Sequence, residues 1–242
     1  MMLYTILLCC SLLVPISFCF DRKLQFWRQW KFLFPSILFI AVIYIAGDIL
    51  MTQAGHWGFN PRYHLGIVLA GLPLEEWLFF LVIPYASVFL HDVVVLYLPS
   101  FKTTVVPGRT LQIAFILFFA VMAIFFYTKT YTVYSSVLVI TALLLSLADH
   151  SGLINHYWAT FLFILLPFTL VNGILTGFLI DGEVVWYSEQ SITGYRLLTI
   201  PVEDYGYGFS LILFVLLIRQ QLICRFGKGQ LARRVKSHEE NE

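Results

Sequence analysis

Two short acidic stretches carry the chemistry this chain could perform. Glu75 and Glu76 follow Pro73 and Leu74, Glu203 and Asp204 follow Pro201 and Val202, and each pair opens a long apolar run. Helix capping accounts for part of this. Proline suits the first helical turn, and a carboxylate there favours the positive end of the helix dipole by ~0.3–1 kcal/mol. One acid per helix would be enough for that. Neighbours on a helix point about 100° apart, so one member of each pair faces a different environment, the interior of a bundle. Acids at membrane depth are costly and usually functional. A carboxyl group withdrawn from water, or set beside another, keeps its proton more readily, as a general acid must. We therefore expect Glu75, Glu76, Glu203 and Asp204 to serve as acid and base, with the division of roles open.

A longer pattern recurs around these acids. Asp48-x3-Thr52, Trp57, Arg62-Tyr63 and Pro73 in the first stretch correspond to Asn172-x3-Thr176, Trp186, Tyr195-Arg196 and Pro201 in the second. The first elements lie 124 residues apart and the last 128. Asp48 and Thr52 share one helix face, as do Asn172 and Thr176. Hydrogen bonding between helices suffices for the threonines, whereas Asp48 is a charge and is expected to share the site. Aromatic residues near the acids (Phe59, Trp77, Phe79, Tyr207 among them) fit the interfacial belts of membrane proteins and could also stabilise a cation. His91 and Asp92 have no counterpart in the last apolar run, where Arg219 sits at a different depth; a structural pair and a proton path are equally open. Neither the remaining histidines nor the four cysteines form a metal set, and the cysteines read as apolar filler.

The elements that must position these residues are membrane helices. Of 242 residues 60% are hydrophobic and 12% charged, against roughly 45–50% and ~25% in soluble domains. Apolar runs at 3–20, 32–51, 77–98, 111–127, 131–148, 157–180 and 205–223 approach the length needed to cross ~30 Å of hydrocarbon. The first lacks the basic start of a secretory signal and reads as a span that stays in the protein. The ten apolar residues 64–73 predict a re-entrant or interfacial segment. The fold expected is all-α and integral to the membrane: about seven transmembrane helices, as two parallel three-helix repeats joined by a connecting helix. The repeats would cover 1–98 and 131–223, the connector 99–130 and a charged cytoplasmic tail 224–242. Repeats of this kind commonly place the site between them. Of the 15 basic residues, Arg62, Lys129 and Arg196 fall on one side and the other twelve on the opposite side. The positive-inside rule then puts the N-terminus outside and the C-terminus in the cytoplasm of a multi-pass cell-membrane protein. A net charge of +1 gives no reason to expect nucleic acid.

The stretches FNPRYHLGIVLAGLPLEEWLFF at 59–80, NGILTG at 172–177 and PVEDYGYGF at 201–209 resemble the flavin-independent membrane lycopene cyclases, in the single-chain form that fuses two small subunits. The resemblance extends over about 3–223, although 99–131 carries no matching motif. It implies cyclisation of the linear ψ-ends of lycopene to ionone rings, most often β-rings, by a redox-neutral isomerisation that consumes no cofactor. No GxGxxG fingerprint for a flavin nucleotide is present. Lycopene or a related linear carotenoid, membrane lipid and other enzymes of the carotenoid pathway are the partners this implies. The substrate pocket is expected to draw on Asp48, Thr52, Trp57, Asn60, Tyr63, Pro73, Phe80, Asn172, Thr176, Pro201 and Tyr205.

Other classes share parts of the pattern. A transporter or proton-coupled carrier would line a continuous polar path across the membrane, yet the acids gather near one side. A retinal-type receptor needs a lysine in its last span, and 205–223 has none. A membrane prenyl-transfer enzyme needs aspartate-rich diphosphate motifs, of which Asp48-x3-Thr52 is a poor version.

Overall fold

The computed structural model describes residues 2–226. Seven long helices follow one another: α1 (Leu3–Phe18), α2 (Trp30–Gln53), α3 (Leu74–Tyr97), α4 (Val105–Phe125), α5 (Thr130–Leu147), α6 (Leu153–Leu175) and α7 (Val202–Phe226). All but α1 are long and apolar enough to cross a membrane. α1 has 16 residues, about 24 Å at ~1.5 Å per residue. Side chains such as Ile124, Phe125 and Leu166 stand exposed on the helix surfaces, as expected where lipid is the solvent. The expected charged tail falls mostly on residues outside those described.

The helices pack as two equivalent groups. α1 lies on α3 as α5 lies on α7, and the groups meet where α2 packs on α7 and α6 on α3. α4 packs chiefly on α5 and is the least covered span, with 11% of its apolar window buried.

Three short strand pairs modify the all-helical expectation. β1 (Trp57–Phe59) and β4 (Val185–Tyr187) come from the α2–α3 and α6–α7 connections and pair antiparallel. The register sets Gly58 opposite Trp186. A side chain on Gly58 would meet the Trp186 indole within 2.5 Å, so glycine is what lets the strands close under that ring. β2 (Val68–Leu69) with β3 (Leu72–Pro73), and β5 (Arg196–Leu197) with β6 (Ile200–Pro201), form hairpins leading into α3 and α7. Residues 64–73 thus end in a hairpin whose tip, Val68 to Gly71, stays exposed instead of re-entering the bundle. The φ angles of Ala70 (52°) and Leu198 (60°) place the same left-handed residue in both turns.

α6 stops at Leu175, short of the expected 180, because Gly177 (φ 105°) turns the chain toward β4. Arg219 is also not where the sequence alone suggested. It forms a two-pronged ion pair with Asp92, both bonds 2.8 Å, in the protein interior. His91 and Arg219 are 128 residues apart, the separation of the acidic pairs, so Arg219 is the positional counterpart of His91. His91 itself bonds Thr160 Oγ1 at 2.7 Å.

Candidate active site

Each acidic pair sits in the first turn of its helix, entered from a hairpin that ends in a buried proline, Pro73 or Pro201. The proline's extended conformation starts the helix abruptly. The two acids of each pair then diverge.

The outer members, Glu75 and Glu203, tie the structure together. Glu75 Oε1 accepts from Thr5 Oγ1 (2.8 Å) and the Leu65 backbone N–H (2.7 Å). Glu203 Oε1 accepts from Thr132 Oγ1 (2.7 Å) and the Thr193 backbone N–H (2.7 Å). Each thus joins the first helix of its group to the connecting loop. The inner members, Glu76 and Asp204, line one chamber between the groups, together with Asp48 and Asn172. Tyr4 donates to Glu76 Oε2 at 2.5 Å, and Tyr131 to Asp204 Oδ1 at 2.6 Å. Asp204 Oδ2 also accepts from Tyr187 (2.9 Å) and Asn172 Nδ2 (3.4 Å). Trp57 Nε1 donates to Asp48 Oδ1 at 2.5 Å, while Asp48 Oδ2 is buried with no protein partner.

The strand pair β1–β4 closes this end of the chamber. Tyr187 stacks on Tyr131 at 5.6 Å between ring centres, and Trp57 meets Tyr131 edge-on at 5.0 Å. Burial first, and then the adjacent Asp204, push the Tyr187 phenol well above its ordinary value of 10.0, so it remains a hydrogen-bond donor. The walls are otherwise apolar, with Phe59, Phe79, Phe168 and Leu211 among them. Three carboxyl groups in an aromatic-walled chamber can move protons to and from a hydrocarbon, and the rings can stabilise a cation between the transfers.

The remaining sequence-predicted residues lie elsewhere. Thr176 bonds Thr199 Oγ1 (2.8 Å) and its own helix carbonyls, in keeping with a purely structural threonine. Thr52 does not line the chamber. Asn60 accepts from the Arg62 backbone N–H (3.0 Å), and Tyr63 donates to the Asp181 carbonyl (2.6 Å), so both hold the loop. Phe80 packs behind the chamber against Tyr44 and Tyr207. Tyr205 lines a separate groove beside α4 and α6. Trp57 and Trp186 are not counterparts. The strand register makes Trp57 equivalent to Val185 and Phe59 to Tyr187, leaving Trp186 on the outer face.

Sequence reasoning missed Tyr4, Tyr131 and Tyr187, and the supporting Thr5 and Thr132. A signal was there: Tyr4-Thr5 and Tyr131-Thr132 are the same dipeptide at nearly the repeat distance. Tyr187 had no such signal, because its counterpart is a phenylalanine.

The family model described as lycopene cyclase matches residues 1–94 and 128–222. The match takes in both acidic pairs and both tyrosine-threonine dipeptides, and passes over the whole of α4. No curated protein and no solved structure matches the chain.

Proposed function

Since the chain belongs to the lycopene cyclase family, we propose that it cyclises the linear ψ-ends of lycopene, forming β-rings, in the chamber between its two helix groups. The observation that carries this reading is the convergence of Glu76 and Asp204, one from each group, on a single apolar chamber.

Glu76 accepts one hydrogen bond from the protein, which leaves Oε1 able to carry a proton. Asp204 accepts at both oxygens, from Tyr131 on one and from Tyr187 and Asn172 on the other. A protonated carboxyl would turn a donor toward one of those donors, so the arrangement suits a carboxylate. We assign Glu76 as the acid and Asp204 as the base. Glu76 delivers a proton to the terminal double bond, leaving a tertiary cation. The neighbouring internal double bond attacks that cation, a carbon–carbon bond closes the ring, and the charge moves to a ring carbon. Asp204 removes the adjacent proton, and a new double bond completes an isomer of the starting compound. Atoms and electrons balance with no oxidant or reductant. Asp48 lines the same chamber and can relay the proton taken up by Asp204 back to Glu76, restoring both acids. Rings of Trp57, Tyr131, Tyr187 and Tyr207 stabilise the passing cation. A carrier for protons or solutes would need these acids to continue as a polar path; the crevice that follows the chamber between α3 and α6 is lined almost wholly by apolar side chains as far as Leu90 and Ile164.

We place the N-terminus outside and the C-terminus in the cytoplasm, on the skew of three basic residues against twelve among 15. The acids then act near the outer face.

The test is pigment analysis of a lycopene-accumulating bacterial host expressing the chain. Monocyclic or bicyclic carotenes are expected, and their ring type is read from the same chromatogram. Unchanged lycopene, with the protein present and folded in the membrane, would overturn the reading.

A further inference from the structure

The two helix groups are related closely enough that each crevice between them can be compared with its counterpart. One crevice, between α3 and α6, leads out of the acid chamber. It shares Phe79, Ile83, Phe168 and Asn172 with the chamber and continues past Ala86 and Ser87 to Leu90 on one wall and Ile164 on the other. From Phe79 to Leu90 the α3 wall rises about 16 Å at ~1.5 Å per residue, half of the ~30 Å hydrocarbon thickness. Its lining is almost wholly apolar, with Ser11 of α1 at its edge.

The counterpart, between α2 and α7, is filled. The 128-residue separation that relates Glu76 to Asp204 relates Ala86 to Phe214 and Ser87 to Val215. The 124-residue separation of Asp48 and Asn172 relates Tyr44 to Phe168 and Gly47 to Val171. So where the open crevice has alanine and serine, its twin has a buried Phe214 and Val215. Tyr44 fixes the plug: its hydroxyl bonds Ser210 Oγ at 2.8 Å, and its ring packs edge-on against Tyr207 (4.9 Å) and Phe214 (6.4 Å). The Tyr134 hydroxyl occupies the space a side chain at Gly47 would need.

We propose that the polyene chain of the substrate lodges in the α3–α6 crevice and in no other, so that Ala86 and Ser87 determine which long substrates enter. This rests on the cyclase reading and deepens it. The occupant is a linear polyene because the crevice adjoins the chamber that receives its end and shares four lining residues with it, is almost wholly apolar, and has small residues where its twin is closed. A polyene held in this one crevice presents only one of its ends to the acids at a time. A second ring requires the monocyclic product to withdraw and re-enter reversed.

The test builds the plug on the open side. Ala86→Phe with Ser87→Val copies Phe214 and Val215, and Phe214→Leu serves as the control on the closed side. Membranes carrying each variant are assayed with lycopene and with a synthetic polyene bearing the same ψ-end on a short tail; thermal midpoints in detergent establish folding. The plugged variant should lose lycopene turnover by at least roughly 10–200-fold, the range for a misfit of a single methylene, yet still cyclise the short substrate. Phe214→Leu should cyclise both as the unmodified protein does. Loss of lycopene binding, followed by tryptophan quenching in the Glu76→Gln background, should accompany the plug. A plugged variant that folds and cyclises lycopene at the unmodified rate overturns the proposal, as does one that loses only a co-purifying phospholipid. Loss of both substrates together also counts against it, because the plug would then act on the chamber. An unmodified protein inactive on either substrate would instead sink the cyclase reading on which this one rests.

Discussion

The Tyr131 hydroxyl donates a 2.6 Å hydrogen bond to Asp204 Oδ1, joining the start of α5 to the start of α7. Tyr4 and Glu76 repeat the arrangement at 2.5 Å between α1 and α3. Hydrogen bonds to charged or buried acids contribute about 1–3 kcal/mol. Tyr4→Phe and Tyr131→Phe should each lower cyclisation roughly ten- to hundredfold while the protein still inserts and folds. Turnover in isolated membranes, beside the thermal midpoint, checks this; rates unchanged in both variants would remove the tyrosines from the site.

The divergence of each acidic pair separates chemistry from architecture. Glu76→Gln and Asp204→Asn should reduce turnover by about 10²–10⁴, the usual contribution of a proton-transfer group, with little effect on folding. Glu75→Gln and Glu203→Gln should keep most of the rate and lower the thermal midpoint, since each loses charge-assisted bonds to a threonine and a backbone amide. The opposite pattern would exchange the roles assigned to the pairs.

Asp92 and Arg219 form a buried ion pair far from the chamber. Removing one partner strands a charge, and such changes cost about 3–5 kcal/mol. Arg219→Met alone should therefore lower the thermal midpoint sharply. Adding Asp92→Leu should recover most of the loss. A double variant no better than the single one would show that Arg219 acts mainly through its other bond, to Gln29.

Tyr187 gives the fold an alkaline limit. Its phenol is held above the ordinary value of 10.0 by burial and by Asp204. The folded state therefore retains a proton that the unfolded chain gives up. That stabilisation is complete below about pH 10 and is lost as the pH rises through the raised folded value. Thermal midpoints measured between about pH 8 and 11 should fall at the upper end, and less steeply in Tyr187→Phe.

Much of this was legible in the sequence because it depends on local pattern. Apolar runs gave the helices, and proline followed by paired acids gave the starts of α3 and α7. What escaped depends on contacts across the chain. Which acid of a pair faces the chamber is settled by Thr5 and Thr132 capturing Glu75 and Glu203 from 70 and 71 residues away. The partnership of Asp92 with Arg219 spans 127 residues. The mistaken pairing of Trp57 with Trp186 followed from matching residue types, where the strand register matches positions.

α4 is the least buried of the long apolar spans and lies wholly outside the family match. A unit of three spans ends on the side of the membrane opposite to where it began. A second copy in the same orientation must begin where the first began, so a continuous chain has to be carried back across the bilayer once. α4 solves that parity problem. Its exposed surface answers to lipid and to direction of travel, while the six helices around the acids answer to one another.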